Sequence, residues 1–134
     1  MNLTPLITDN VSEILIKIIE FTQARQKILA QNITNLYAPG FVPKELEVDE
    51  FSDLLNNAIE EHIKTQRLVF CDTENIKFGF SGTFTAIPVT DEMSKELLEE
   101  NRDEYIELQI HKLLENSLNQ KLAAELLKQK QEVF

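Results

Sequence analysis

The chain has 134 residues, 43% of them hydrophobic and 27% charged, with 13 Lys plus Arg against 23 Asp plus Glu and a formal net charge of −10 at pH 7. That length suits one domain, and that apolar content supports a core and excludes a wholly disordered chain. The acid excess, with no concentrated Lys/Arg footprint, excludes phosphate-driven nucleic-acid binding. Cys71 is the sole cysteine, so one chain can form neither an internal disulfide nor a cysteine-based zinc site.

From the start of the chain, Met1 to Asn10 carries no positive side chain, and the apolar run Val11 to Ile19 is broken by Glu13 and Lys17. It reads neither as a secretory leader nor as a membrane span. From Val11 to about Asn35, apolar residues including Ile14, Ile18, Ile28 and Leu29 recur at steps of three and four, which predicts an amphipathic helix with a wide stripe. Asn10 and Glu13 have capping-box spacing and place the helix start near residue 10. Its end is expected within Asn32 to Phe41, where asparagines tolerate a left-handed cap and Pro39 disfavours helix at Ala38. Pro39-Gly40 suits the two central positions of a type II turn, with Gly40 supplying positive φ.

A shorter helix is expected from Asp49 to about Lys64, with Phe51, Leu54, Leu55, Ala58, Ile59 and Ile63 on one side. Residues 67–89 change character: Leu68 to Cys71, Ile76 to Phe80 and Thr83 to Val89 read as short strands, with Phe78, Phe80 and Phe84 in alternating register. So small a sheet needs a helix to cover it. From about Asp91 to near Glu132 the helical pattern returns with a leucine-rich stripe that includes Leu114, Leu118, Leu122 and Leu126. A helix of roughly 40 residues would span about 60 Å, with a possible break near Asn101. Its stripe must lie against another helix, either as internal core or as a seam between subunits.

The stretch Arg25-Gln26-Lys27-Ile28-Leu29-Ala30-Gln31-Asn32-Ile33-Thr34-Asn35, followed by Pro39-Gly40-Phe41, resembles the N-terminal signature of bacterial flagellar rod and hook proteins. In that family a leucine-alanine pair precedes Asn-Ile-Ala-Asn, two loose positions and Thr-Pro-Gly-Tyr. Leu29, Ala30, Asn32, Ile33, Asn35, Pro39 and Gly40 match it, whereas Thr34, Ala38 and Phe41 depart conservatively. Arg25-Gln26 and the short chain are similar to the proximal-rod (FlgB) family. Near the other end, Glu115-Asn116-Ser117-Leu118 and Leu126-Leu127 resemble that family's C-terminal helix, although its usual tyrosine falls at Gln120 and its Asn-x-Val-Asp entry has no counterpart beyond Asn101.

The resemblance implies a structural subunit of the flagellar basal body, exported through the flagellar type III apparatus without a cleaved leader to the periplasmic rod. It implies helical self-assembly through paired terminal helices, with other rod and basal-body proteins as partners. On that reading the chain is mainly α, a single domain over 1–134. It divides into an N-terminal helix (1–36), an elbow and short helix (37–66), a variable β-rich segment (67–89) and a C-terminal helix (90–134). The terminal helices pair as a coiled coil through Ile14, Ile18, Ile28, Leu29, Leu114, Leu118, Leu122 and Leu126, and the elbow is carried by Asn32, Ile33, Asn35, Pro39, Gly40 and Phe41.

Blander readings stand beside these. Asn32 and Asn35 could simply cap a helix, and cap and interface can coexist. Glu107, His111 and Glu115 share a helix face at i, i+4 and i+8, a spacing more often a solvated charged face than a metal site. Cys71 within an apolar run reads as a small buried hydrophobe, and Gly79 to Gly82 lacks the strand-to-helix setting of a phosphate loop. No catalytic constellation, cofactor motif or small-molecule site emerges. The alternative from another class is a soluble acidic helical adaptor or export chaperone, which would also be small, acidic and amphipathic.

Overall fold

A computed structural model describes residues 10–79 and 84–132. Its elements, in chain order, are α1 (Asn10–Thr34), β1 (Lys44–Glu45), α2 (Val48–Thr65), β2 (Ile76–Phe78), β3 (Phe84–Ala86), β4 (Val89–Thr90), α3 (Glu92–Glu100) and α4 (Arg102–Glu132). The described chain is therefore mainly helical, with two small antiparallel two-stranded sheets, β1 with β4 and β2 with β3. None of its helices is long and apolar enough to cross a membrane.

The two long helices, α1 and α4, lie along each other and form the most extensive contact between elements. The break expected near Asn101 is present: that residue is extended, at φ −153° and ψ 97°, between α3 and α4. Asn101 Oδ1 accepts the backbone N–H of Glu104 at 3.2 Å, starting α4. Asp91 starts α3 in the same way, accepting from the Ser94 N–H.

An apolar cluster closes one side of α1. Phe21 stacks on Phe51 of α2 with centroids 4.0 Å apart, and the contact continues through Phe84, Phe78 and Phe70. The β2–β3 hairpin pairs Ile76 with Ala86 and Phe78 with Phe84. These residues share one face because strand side chains alternate, and that face packs with Leu46 and Leu54 onto α1 and α2. Glu50 of α2 anchors the hairpin by accepting the Asn75 backbone N–H at 3.0 Å and its side-chain amide at 3.1 Å. A hydrogen bond from Thr73, then that from the Asn75 backbone, holds the Glu50 carboxyl below its ordinary value.

Several expectations are corrected here. Leu68 to Cys71 forms no strand; Phe70 joins the aromatic row instead. Cys71 is exposed rather than buried. The strand β1, which the sequence did not suggest, pairs Lys44 with Thr90 and Glu45 with Val89. Asn10 turns its side-chain amide across to α2, 2.8 Å from His62 Nδ1 and 3.3 Å from the Gln66 carbonyl. Phe80 and Gly82, assigned above to a strand and a glycine pair, lie outside the described residues.

Candidate functional site

The site is the junction where the end of α1, the segment around β1, the start of α3 and the middle of α4 meet. Its organising residue is Asn32. In the last turn of α1, this side chain is 1% exposed and makes a two-way bridge to β1, its amide donating to the Lys44 carbonyl at 2.8 Å and its oxygen accepting the Lys44 N–H at 3.0 Å. The same amide donates to Gln109 Oε1 of α4 at 3.0 Å. Asn32 thus joins three elements and is not a helix cap. Tyr105 of α4, fully buried, donates its hydroxyl to the Asn32 carbonyl at 2.6 Å, satisfying a helix-end acceptor.

From Gln109 the network runs on. Its amide donates to Ser94 Oγ at 2.8 Å, Ser94 Oγ donates to Asp91 Oδ2 at 2.6 Å, and Lys112 Nζ reaches the same oxygen at 2.7 Å. Lys112 also lies 3.2 Å from Glu45 Oε2, and Glu45 receives a two-pronged contact from Arg25, Nε at 3.0 Å and Nη2 at 3.1 Å. Two cations and two carboxylates therefore balance in this chain of contacts, and the exposed Glu115 adds a third carboxylate 3.7 Å from Arg25. Burial pushes the Asp91 carboxyl up, but the Lys112 and Ser94 hydrogen bonds together outweigh it and hold that carboxyl below its ordinary 3.8. Burial, with a smaller contribution from the Asp91 charge, pushes the Tyr105 hydroxyl up from 10.0 to about 12. Further along the seam, Asn116 donates to the Thr22 carbonyl at 2.8 Å and to Gln26 Oε1 at 3.1 Å.

The buried positions of α4 are Tyr105, Gln109, Asn116 and Ala123, with Lys112 part-buried between them. Their spacing is that of a helix-pairing seam, but most of the side chains are polar. The leucines expected to form the seam are exposed instead: Leu114 is 60% exposed, Leu118 68%, Leu122 60% and Leu126 42%, with Ile110 at 45%. This corrects the expectation that they pair with α1 as internal core. The physical reason is twofold. Each of the seam's amides, hydroxyls and ammonium groups finds a partner on α1, β1 or α3, which exposure to a leucine face would deny it. A strict i+4 row also sweeps about 160° around the helix over five residues, so one neighbour cannot cover it all. Its far end, Leu122 and Leu126, borders a groove shared with Leu15, Ile18, Phe21 and Phe51.

On α1 the expected pairing residues divide. Leu29 is fully buried and Ile14 is buried; Ile18 and Ile28 pack at the edge of the phenylalanine cluster. Of the motif residues, Ile33 and Phe41 are half-buried, whereas Asn35, Pro39 and Gly40 are exposed. The Phe41 N–H donates to the Ala38 carbonyl at 3.1 Å, closing a turn about Pro39-Gly40, and Gly40 sits at φ +73° with nothing within 4 Å of where a Cβ would stand.

Glu45, Asp91, Gln109 and Lys112 did not stand out in the sequence. The polar residues at Tyr105, Gln109, Lys112 and Asn116, stepping by four, three and four, were the available signal. Among the described residues no group of three or more His, Cys, Asp or Glu is placed to hold a metal ion. Comparison with protein-family models, with curated proteins and with solved structures finds no match to the chain.

Proposed function

We propose that this chain is a structural subunit of the bacterial flagellar basal-body rod, non-enzymatic and assembling axially through its terminal helices. The carrying observation is what Asn32 does. This residue of the rod-like motif ties the end of α1 to β1 through both Lys44 backbone groups and to α4 through Gln109. A motif whose asparagine locks the chain's exit from the first long helix against the last one is a reason for that residue type at that place. The turn at Pro39-Gly40 then serves as the elbow, and α1 with α4 as the paired helices that stack along the axis. The partners on this reading are neighbouring rod and basal-body proteins and the export apparatus that delivers the chain to the periplasm.

The unpaired row on α4 adds support, because an apolar face left bare within a chain is what an assembling subunit presents to a neighbour. The test is biochemical fractionation. A tagged chain expressed in its own cells should co-purify with isolated hook–basal bodies, and deleting its gene should leave membrane rings without a rod. A chain that remains outside the basal body, bound to an export substrate, would instead establish the adaptor or chaperone reading.

A further inference from the structure

We propose that the apolar groove between α2 and α4, floored by α1, is the docking site of this chain's own residues 1–9, which run back along α1 as an extended strap. The inference does not depend on the rod reading. Both α2 and α4 run antiparallel to α1: Phe51 stacks on Phe21 while His62 meets Asn10, and Asn116 reaches Thr22 while Leu126 stands beside Leu15. The space between them is a groove with Leu15 and Ile18 on its floor, Phe51 and Leu55 on one wall, and Leu122 and Leu126 on the other. A second apolar hollow, lined by Val11, Leu15 and Leu126, continues it to the start of α1. Leu114 and Leu118 line neither part.

The occupant follows from position, length and sequence pattern. Asn10 opens α1 at the mouth of the groove, so residues 1–9, which lie outside the described residues, leave from beside Val11. They carry the apolar side chains Met1, Leu3, Pro5 and Ile7 at alternate positions. Alternate residues share one side of an extended segment, and Pro5 suits such backbone and holds Thr4 out of the helical region. Asp9 is the segment's only charged side chain; it stays at the mouth, where Lys130 supplies the opposite charge.

The two repeats also match. Two residues of extended chain advance about 6.6 Å and four of a helix about 6 Å. Ile7, Pro5 and Leu3 therefore fall in turn beside Val11, Leu15 and Ile18. Residues 1–9 reach about 30 Å when extended, whereas the floor from Val11 to Thr22 is about 16 Å long. Thr8 and Asp9 are thus free to reverse the chain. Tethered at its mouth, the segment meets the groove at an effective concentration on the order of mM, which a separate chain would have to exceed to displace it.

The test uses the purified full chain in a Cys71→Ser background with single reporter cysteines. Leu126→Cys stands in the groove and Leu114→Cys outside it. Adding Leu3→Asp and Ile7→Asp, both outside the described helices, should release the strap. The Leu126→Cys thiol should then react with a maleimide roughly tenfold faster than with the strap intact, at any protein concentration, and Leu114→Cys should react equally in both. As a second readout, Leu3→Cys paired with Leu55→Cys should close an intramolecular disulfide roughly tenfold faster than Leu3→Cys paired with Leu114→Cys, because only the first pair is held within bridging range. A Leu126→Cys thiol indifferent to the two aspartates, equal rates for the two disulfides, or protection that appears only as concentration rises would overturn the proposal, the last by assigning the groove to a second copy. None of these results turns on whether the chain is found in the basal body.

Discussion

The two faces of α4 reverse the usual arrangement of a surface helix. Its inner face meets α1 through Tyr105, Gln109, Lys112 and Asn116, whose polar atoms are hydrogen-bonded or ion-paired. Its outer face carries Ile110, Leu114, Leu118, Leu122 and Leu126 into solvent. Apolar contact tolerates sliding by a turn, whereas amides and ion pairs are satisfied in only one alignment. The inner face therefore sets the register of α4 on α1, and the phenylalanine cluster on the other side of α1 supplies the apolar burial.

The difference can be broken at its polar side first. Arg25→Met removes two charged hydrogen bonds to Glu45 while Lys112 still compensates its charge, and should lower the unfolding free energy by about 3 kcal/mol, read from urea midpoints at constant slope. Asn32→Leu strands Gln109 Oε1 and both Lys44 backbone groups. It should cost about 2–3 kcal/mol in the same assay and increase exchange of the Lys44 amide.

Tyr105→Phe removes one buried bond, worth about 1–2 kcal/mol near neutral pH, and carries a pH signature. The folded-state hydroxyl is raised from 10.0 to about 12, so the folded chain holds that proton more tightly than the unfolded one. Its contribution is complete below pH 10 and is lost as pH rises towards about 12. The difference in stability between the native chain and Tyr105→Phe should shrink across that interval; a constant difference would contradict the assignment.

Gly40→Ala should cost about 1 kcal/mol, from the backbone conformation alone, since nothing lies within 4 Å of the added methyl. The smallest effect belongs to the outer face. Leu118→Ser should change monomer stability by no more than about 0.5 kcal/mol in dilute solution. A larger loss would show that the row is part of the chain's own core.

Much of the secondary structure was legible from residue spacing. The short second helix was expected from Asp49 to about Lys64 and runs from Val48 to Thr65. The long C-terminal pattern divides at Asn101, as the sequence suggested. Leu29 and Ile14, named for helix pairing, are buried. Strands were expected within Ile76 to Phe80 and Thr83 to Val89, and β2 and β3 lie there; their pairing, Ile76 with Ala86 and Phe78 with Phe84, was not legible from spacing. Legibility failed where a local pattern had two uses. The apolar run at Leu68 to Cys71 looks like a strand, but among the described residues no strand pairs with it. Asn32 looks like a cap, but its side chain points inward to partners 12 and 77 residues away.

The sequence by itself determined where the C-terminal helical pattern breaks, which side of α1 goes into the core, and that residues 37–41 must turn. Those features rest on local sterics, hydrogen bonding and hydrophobic periodicity, all carried by residues close in the chain. Only the tertiary structure decided which face of α4 turns inward. Leucines and amides are both suitable for a helix face, and the choice went to the face whose Tyr105 hydroxyl, Gln109 and Asn116 amides and Lys112 ammonium met partners on α1, β1, α3 and at Asp91. That matching depends on residues up to 94 positions apart, as between Asn116 and Thr22, and no spacing rule along one helix contains it.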